Sequence, residues 1–185
     1  MSTWFPRMGL VAVLAVASSA RATTAVVLTE TEQALASTAV VVAHVTEQHV
    51  ARHPQLGRAE TLTTVQIERV LYGDAPDQVV VHQLGGELDG VLLQVAGDAH
   101  LQLGDRDVLY LRQVDGGWYL TAMEQSAFTL VPSLDGDALV RQLSSELLQR
   151  SPEGVLVPWD GDDASAPTLT DLSALLASLP AKEAK

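Results

Sequence analysis

Alternating hydrophobic and polar positions between residues 60 and 93 give the clearest structural signal in the chain. In an extended conformation, residues 62–69 would present one face that is more apolar at its centre, as a half-buried strand requires. The following segment 72–77 (YGDAPD) predicts a break, because glycine accepts positive φ and proline cannot donate to a ladder. Residues 79–81 are three valines, which indicates a central strand.

Further strands are predicted before and after this stretch. The valine-rich residues 40–48 predict one strand, and residues 107–114 (DVLYLRQV) give a strong strand signal. The Asp-Gly-Gly at 115–117 predicts a hairpin turn into residues 118–123. Residues 128–131 complete the set, whereas 91–95 and 100–103 stay ambiguous. Two surface loops are predicted, at 50–59 (VARHPQLGRA) and in the glycine-bracketed acidic segment 85–90.

Helices are predicted near both ends of the chain. A short helix over 32–38 can be capped by Thr29 or Thr31, and a terminal helix over 171–179 by Thr168 or Thr170. Two interpretations stay open for 138–149. The Asp135-Gly136 turn favours a last hairpin, whereas Leu139, Leu143 and Leu147 share one face of a helix. The acidic segment 158–167 is typical of a linker.

These elements predict a mainly β domain with flanking helices: a small antiparallel OB-like β-barrel, preceded by a short helix and followed by a terminal one. The expected organisation is a signal peptide at 1–22, an N-terminal helical segment at 23–38, the barrel at 39–132 and a C-terminal extension at 133–185. The core is expected to contain one inward-facing set, formed by Val65, Ile67, Val81, Leu109 and Leu111.

Composition and charge argue against several kinds of binding site and partner. The 185 residues carry a formal net charge of −12 and include no cysteine. Disulfides and thiolate metal sites are therefore excluded. The acidic balance argues against nucleic acid and anionic membranes as partners, since both need clustered Lys and Arg.

The N-terminal segment 1–22 has the layout of a secretory signal peptide. Residues 1–7 carry a positive charge, residues 8–17 are apolar, and Ala20-Arg21-Ala22 offers an Ala-x-Ala cleavage site. A membrane span would need about 20 apolar residues, roughly twice this run. We therefore expect cleavage near Ala22, no membrane insertion afterwards, and a secreted or periplasmic protein.

Few residues are candidates for catalysis or metal binding. The histidines lie at 44, 49, 53, 82 and 100 without an HExxH spacing, and no serine lies in Gly-x-Ser-x-Gly. The acidic turns at 135–137 and 160–163 lack the EF-hand register, so turn chemistry is favoured over calcium. No metal site, cofactor or catalytic residue is predicted. Four residues are the candidates for contact with a partner: Glu87 and Asp89 in the acidic loop, and Trp118 and Tyr119, which can alternatively be core or rim aromatics.

Taken in order, the segments AVVVAHV, TVQIERVLYGDAPDQVVVHQ and LGDRDVLYLRQVDGGWYLTAMEQSAFTLVP resemble the netrin-like module. The resemblance runs from about residue 39 to 132. More narrowly, this stretch is similar to the N-terminal domain of the tissue inhibitors of metalloproteinases. The family implies a five-stranded OB-type barrel that binds other proteins and has no catalytic activity.

One departure from this family changes the expected mechanism. In the metalloproteinase inhibitors, a disulfide-anchored N-terminal cysteine chelates the zinc of the protease, whereas here the expected mature chain begins at Thr23 and lacks cysteine. The sequence therefore predicts an exported, non-enzymatic binding module whose partner is another protein, with a secreted metalloprotease as the family's candidate. The alternative is a periplasmic protein that binds a small ligand, glycan or metal on the barrel face.

Overall fold

The computed structural model describes residues 25–141, 143, 147–159 and 167–181. Twelve strands and two helices occupy this part of the chain. The strands are β1 Ala25–Val26, β2 Ala39–Arg52, β3 Ala59–Gly73, β4 Gln78–Leu84, β5 Gly86–Leu88, β6 Val91–Leu93, β7 Arg106–Val114, β8 Gly117–Leu120, β9 Ala127–Val131, β10 Ala138–Val140, β11 Leu147–Arg150 and β12 Leu156–Pro158. The helices are α1 Glu30–Ala36 and α2 Leu169–Ala177, with a 3₁₀ turn at Met123–Ser126. The prediction of a mainly β domain with a helix before and after is confirmed.

Seven strands form the main sheet, in the order β10-β9-β7-β2-β3-β4-β8, and β8 also pairs with β7. Five of them therefore pair in a ring, β7–β2–β3–β4–β8–β7, in which only the β4–β8 pairing is parallel. At that seam a single residue pair, Val81 with Trp118, joins the two strands. Closure into an OB-type barrel at this seam stays a prediction.

The first half of β2, residues 39–45, is buried on both faces apart from the half-buried His44, because two hydrophobic clusters pack against it. Val41, Ala43 and Val45 belong to the first cluster, inside the curled sheet. Val40 and Val42 belong to the second, which the terminal helix α2 covers. The five residues predicted to share one core all lie in or against the first cluster, with Ile67 only partly buried.

The hairpin between β2 and β3 is longer than the sequence predicted. Pairing continues to Arg52 opposite Ala59, so the predicted surface loop at 50–59 is confined to residues 53–58. The loop is tightened by backbone hydrogen bonds from His53 N to Arg58 O (2.8 Å) and from Gly57 N to His53 O (2.9 Å). Gly57 takes a φ of +64°, which glycine adopts without strain. The chain can therefore reverse direction within the six residues 53–58.

The acidic segment predicted as a loop is a β-hairpin formed by β5 and β6. Asp89 and Gly90 form its tip with φ values of 53° and 76°. Gly86 lets the hairpin lie against the sheet, because a Cβ there would come within 2.8 Å of Val50 Cγ2 and 2.9 Å of Thr61 Oγ1. Two clashes with side chains of β2 and β3 would push this hairpin away from them.

Of the two interpretations of residues 138–149, the hairpin is right and the helix is wrong. Strand β10 pairs antiparallel with β9, and Leu139 is buried in the second cluster. Leu147 lies instead in β11, which pairs with β1 and β12. Leu139 and Leu147 have the spacing of one helical face, but each is buried on a different strand.

Both helices begin at a threonine predicted as a cap. Thr29 forms a capping box with Glu32, and Thr168 forms one with Asp171. Among the described residues, no helix has the length and apolar content needed to cross a bilayer. The predicted signal peptide and most of the acidic linker, residues 160–166, lie outside the described residues.

Candidate functional site

Two groups of polar side chains lie at the adjacent ends of β3 and β4, one group on each face of the sheet. Thr61 pairs with Gln83, and Leu62 pairs with His82. Because side chains alternate along a strand, Glu60 and His82 lie on the outer face, whereas Thr61 and Gln83 lie on the inner one. The outer face carries a carboxylate between two imidazoles, and the inner face lines a cleft.

The Glu60 carboxylate is buried although it lies at a strand end, with only 5% of the residue exposed. Its Oε1 lies 2.9 Å from His82 Nδ1 and 4.0 Å from His53 Nε2. An ionised carboxylate can only accept, so His82 donates to it from Nδ1. His53 Nδ1 accepts from the backbone N–H groups of Gln55 and Leu56, both at 3.2 Å, and its Nε2 edge faces Glu60.

Tyr119 continues this arrangement on β8. Its ring centroid lies 5.4 Å from that of His82, with the ring planes tilted by 37°. Glycine at 117 leaves room for the phenol, since a Cβ there would come within 2.9 Å of the Tyr119 ring and hydroxyl. We call the set His53, Glu60, His82 and Tyr119 the histidine–glutamate surface.

The predicted contact residues take three different positions. Trp118 is 8% exposed and packs in the first cluster, on the opposite face of β8 from Tyr119. Glu87 is exposed on β5, and Asp89 forms an ion pair with Arg52 at the hairpin tip. Both partners of that pair are well exposed, so it contributes at most about 1 kcal/mol.

The structure links Asp89 and Tyr119 through intermediate residues, and it separates both from Trp118. Arg52, which pairs with Asp89, is followed directly by His53, and the contacts then run through Glu60 and His82 to Tyr119. Glu60 was not among the residues predicted from the sequence, because its partners lie on a neighbouring strand and loop. An acidic residue that opens a strand and faces a histidine on the next one is the signal, and it requires the β3–β4 register.

The inner face of the same strand ends lines a cleft of about 550 Å³. Its polar side chains include Gln48, Gln83 and Asp98. Gln83 donates from Nε2 to Asp98 Oδ1 and to Ala99 O, both at 2.9 Å. Gln48 donates from Nε2 to Leu101 O at 2.7 Å. Burial raises the pKa of the Asp98 carboxyl, and hydrogen bonds from Gln83 and from the Ala99 N–H partly offset that rise.

No group of three or more metal-ligating side chains occurs among the residues that the structure describes. In the acidic turn at 135–137, Asp137 Oδ2 accepts from Arg106 at 3.0 Å. Residues 160–163 of the other acidic turn lie outside the described ranges, so the structure tests neither reading of that turn.

No family model, no curated protein and no solved structure matches this chain. The netrin-like resemblance therefore stays a prediction from the sequence. Function has to be argued from the geometry of the described residues.

Proposed function

We propose that this protein is an exported, non-catalytic module of netrin-like type that binds another protein. One observation carries the proposal: the buried Glu60 carboxylate fixes the His82 imidazole, which contacts the half-buried Tyr119 ring on an outer sheet face. Tyrosine combines a large apolar surface with a hydroxyl, and it is enriched among the residues that dominate binding energy.

Preorganisation is the physical reason for preferring this surface. An ordering cost of about 0.5–1.5 kcal/mol falls on each flexible side chain that binding immobilises. His82 is already held by its hydrogen bond to Glu60, and Tyr119 by the ring contact. A partner that contacts these two rings therefore gains most of the contact energy without ordering them.

The charge of the chain and of the hairpin tip favours a basic partner surface. The formal net charge is −12, and Glu87 is exposed beside the Arg52–Asp89 pair. Opposite charges steer association and raise its rate more than they raise affinity. A secreted metalloprotease stays the partner class that the resemblance suggests, with contact through this surface and not through a zinc-chelating cysteine.

The first described residues of the chain are held against the rest of the fold. Gln125 donates to Val26 O at 3.1 Å and accepts from Leu28 N at 3.0 Å, and β1 pairs with β11. The Gln125 amide thus anchors this backbone by two hydrogen bonds. The chain contains no cysteine that could chelate zinc.

The test is a binding titration against the partner recovered by pull-down from the exported fraction. We expect His82→Ala and Tyr119→Ala each to weaken binding by about tenfold or more, since truncating a central anchor costs about 2 kcal/mol. The double variant Glu87→Lys and Asp89→Lys should mainly slow association. Leu134→Ala, at a fully exposed position, is the matched control and should bind as the wild type does.

An extension of the mature N-terminus separates this proposal from inhibitor-like binding. Because the proposed contact lies on the outer sheet face, extension or acetylation should leave the affinity nearly unchanged. Loss of binding on extension, with Tyr119→Ala and His82→Ala still binding fully, would show that the N-terminus makes the contact and that the proposal is wrong.

Export has its own test. Because residues 1–22 have the layout of a signal peptide, mass spectrometry of protein from the periplasm or medium should show a chain beginning at Thr23. Ala22→Asp should block this cleavage, whereas Ala36→Asp, at an exposed position of the mature chain, should leave it unchanged and serves as the position control. Recovery of the intact chain from the cytoplasm, with Met1 retained, would contradict export.

A further inference from the structure

The inner-face cleft presents hydrogen-bond acceptors whose own donors are already used. The Nε2 groups of Gln83 and Gln48 each donate two hydrogen bonds within the protein. Their Oε1 atoms accept none from the described residues. Gln83 is only 8% exposed, and it is one of the residues that line the cleft. The Thr61 hydroxyl donates to Gly85 O at 2.9 Å, which leaves its oxygen as a further acceptor.

A carboxylate without a cationic partner completes the set. Asp98 Oδ1 accepts from Gln83 and from Ala99 N, and its second oxygen accepts no hydrogen bond from the described residues. Asp98 also forms no ion pair with an Arg or Lys of the described part of the chain. A half-buried carboxylate in such a site is normally paired, because removing a charge from water is costly.

The carboxylates around the cleft outnumber its basic groups among the described residues. The buried Glu124 raises the pKa of Asp98 further through charge repulsion, although burial is the larger cause. Residues 99–101 line both this cleft and a second, smaller cavity. Asp107 and Glu124 line that second cavity. The exposed His100 is the one imidazole in the lining, and it lowers the pKa of Asp98, against the larger effect of burial.

We propose that this cleft binds a primary ammonium group on an alkyl chain, with Asp98 as its counter-ion and the amide oxygens of Gln83 and Gln48 as further acceptors. An ammonium carries three donors and no acceptor, which complements these groups. Apolar residues such as Leu92, Leu93 and Leu101 line the same cleft and can pack against the alkyl chain. The site lies on the opposite sheet face from the histidine–glutamate surface and is independent of the proposed function.

Calorimetric titration of the full mature chain with two probes tests the proposal. The probes are n-pentylamine, for a free small amine, and Nα-acetyl-lysine N-methylamide, for a lysine side chain of a protein. Their uncharged counterparts are n-pentanol and Nα-acetyl-norleucine N-methylamide. We expect at least one amine to bind and both uncharged compounds to bind about tenfold or more weakly, since a charge-assisted hydrogen bond is lost. The amine that binds more tightly identifies the source of the ammonium group.

Asp98→Asn is the decisive variant, because the asparagine oxygen can keep the bonds from Gln83 and Ala99 N. We expect it to weaken amine binding by about tenfold to a hundredfold, whereas Asp115→Asn, at an exposed turn, leaves binding unchanged. Chemical shifts of the Gln48 and Gln83 side-chain amides should move on titration. No amine binding, equal binding of the uncharged compounds, or undiminished binding in Asp98→Asn would each overturn the proposal.

Discussion

Replacing Leu109 by alanine should lower the free energy of unfolding by about 2–5 kcal/mol, because it removes three heavy atoms from a packed interior and leaves a cavity. Leu109 has no exposed surface, and it lies on β7 in the first cluster, opposite Val41 of β2. The measurement is a urea titration followed by circular dichroism. Reductant should leave the midpoint unchanged, because the chain contains no disulfide.

Leu134→Ala is the matched control for this experiment. The same atoms are removed at a position with full exposure, so the unfolding midpoint should stay within error of the wild type. If both variants have the wild-type midpoint, the inward face of β7 has been assigned incorrectly. Ile67→Ala should fall between them, because Ile67 is only partly buried against the same cluster.

Asp107→Asn should make the protein more stable at neutral pH. Burial raises the pKa of the Asp107 carboxyl to about 6 from its ordinary value of 3.8, repulsion from Asp105 adds to the rise, and a hydrogen bond from Thr129 opposes it. The residue is 2% exposed, and its Oδ2 has no hydrogen-bond partner among the described residues. The ionised form is therefore disfavoured in the folded chain.

The sign of the pH dependence follows from which state holds the proton. Between about pH 4 and pH 6 the folded chain keeps the Asp107 proton and the unfolded chain has lost it, so stability falls as pH rises through this window. At about 1.4 kcal/mol for each pKa unit, asparagine should gain about 1–3 kcal/mol at pH 7 and little at pH 4. Urea titrations at both pH values, with Asp115→Asn as control, measure the difference.

A gain of equal size at both pH values would show that asparagine acts through packing and not through the charge. A loss at pH 7 would mean that the buried carboxylate has a stabilising partner that the amide cannot replace. Either result would contradict the burial argument for Asp107.

Periodicity predicted the strands but not the contacts between them. The alternation in β3 and the valine run in β4 placed Val65 and Val81 correctly in one core, and one of the two candidate threonines caps each helix. Periodicity gives the orientation of a side chain on its own strand. It does not give register, which depends on bulges such as the one between Val45 and Glu47 of β2.

The register between neighbouring strands determines which residues meet in the candidate sites. His82 lies beside Glu60 only because β4 pairs with β3 in one particular register, and Gln83 meets Asp98 only because the long segment after β6 returns under the sheet. Trp118 and Tyr119 illustrate the same limit at adjacent positions. The sequence offered both as surface aromatics or core, and the pairing of Trp118 with Val81 places that residue in the core.

The pairing of β1 with β11 also fixes an order of events during synthesis. A chain that emerges N-terminus first, from a ribosome or a secretion channel, presents Ala25 and Val26 long before their partners Leu147 and Leu148. The central hairpin of β2 and β3 joins neighbouring segments and can form early, because a short loop closes at low entropic cost. The first strand must wait, so docking of the N-terminal segment marks the point at which nearly the whole described chain has emerged.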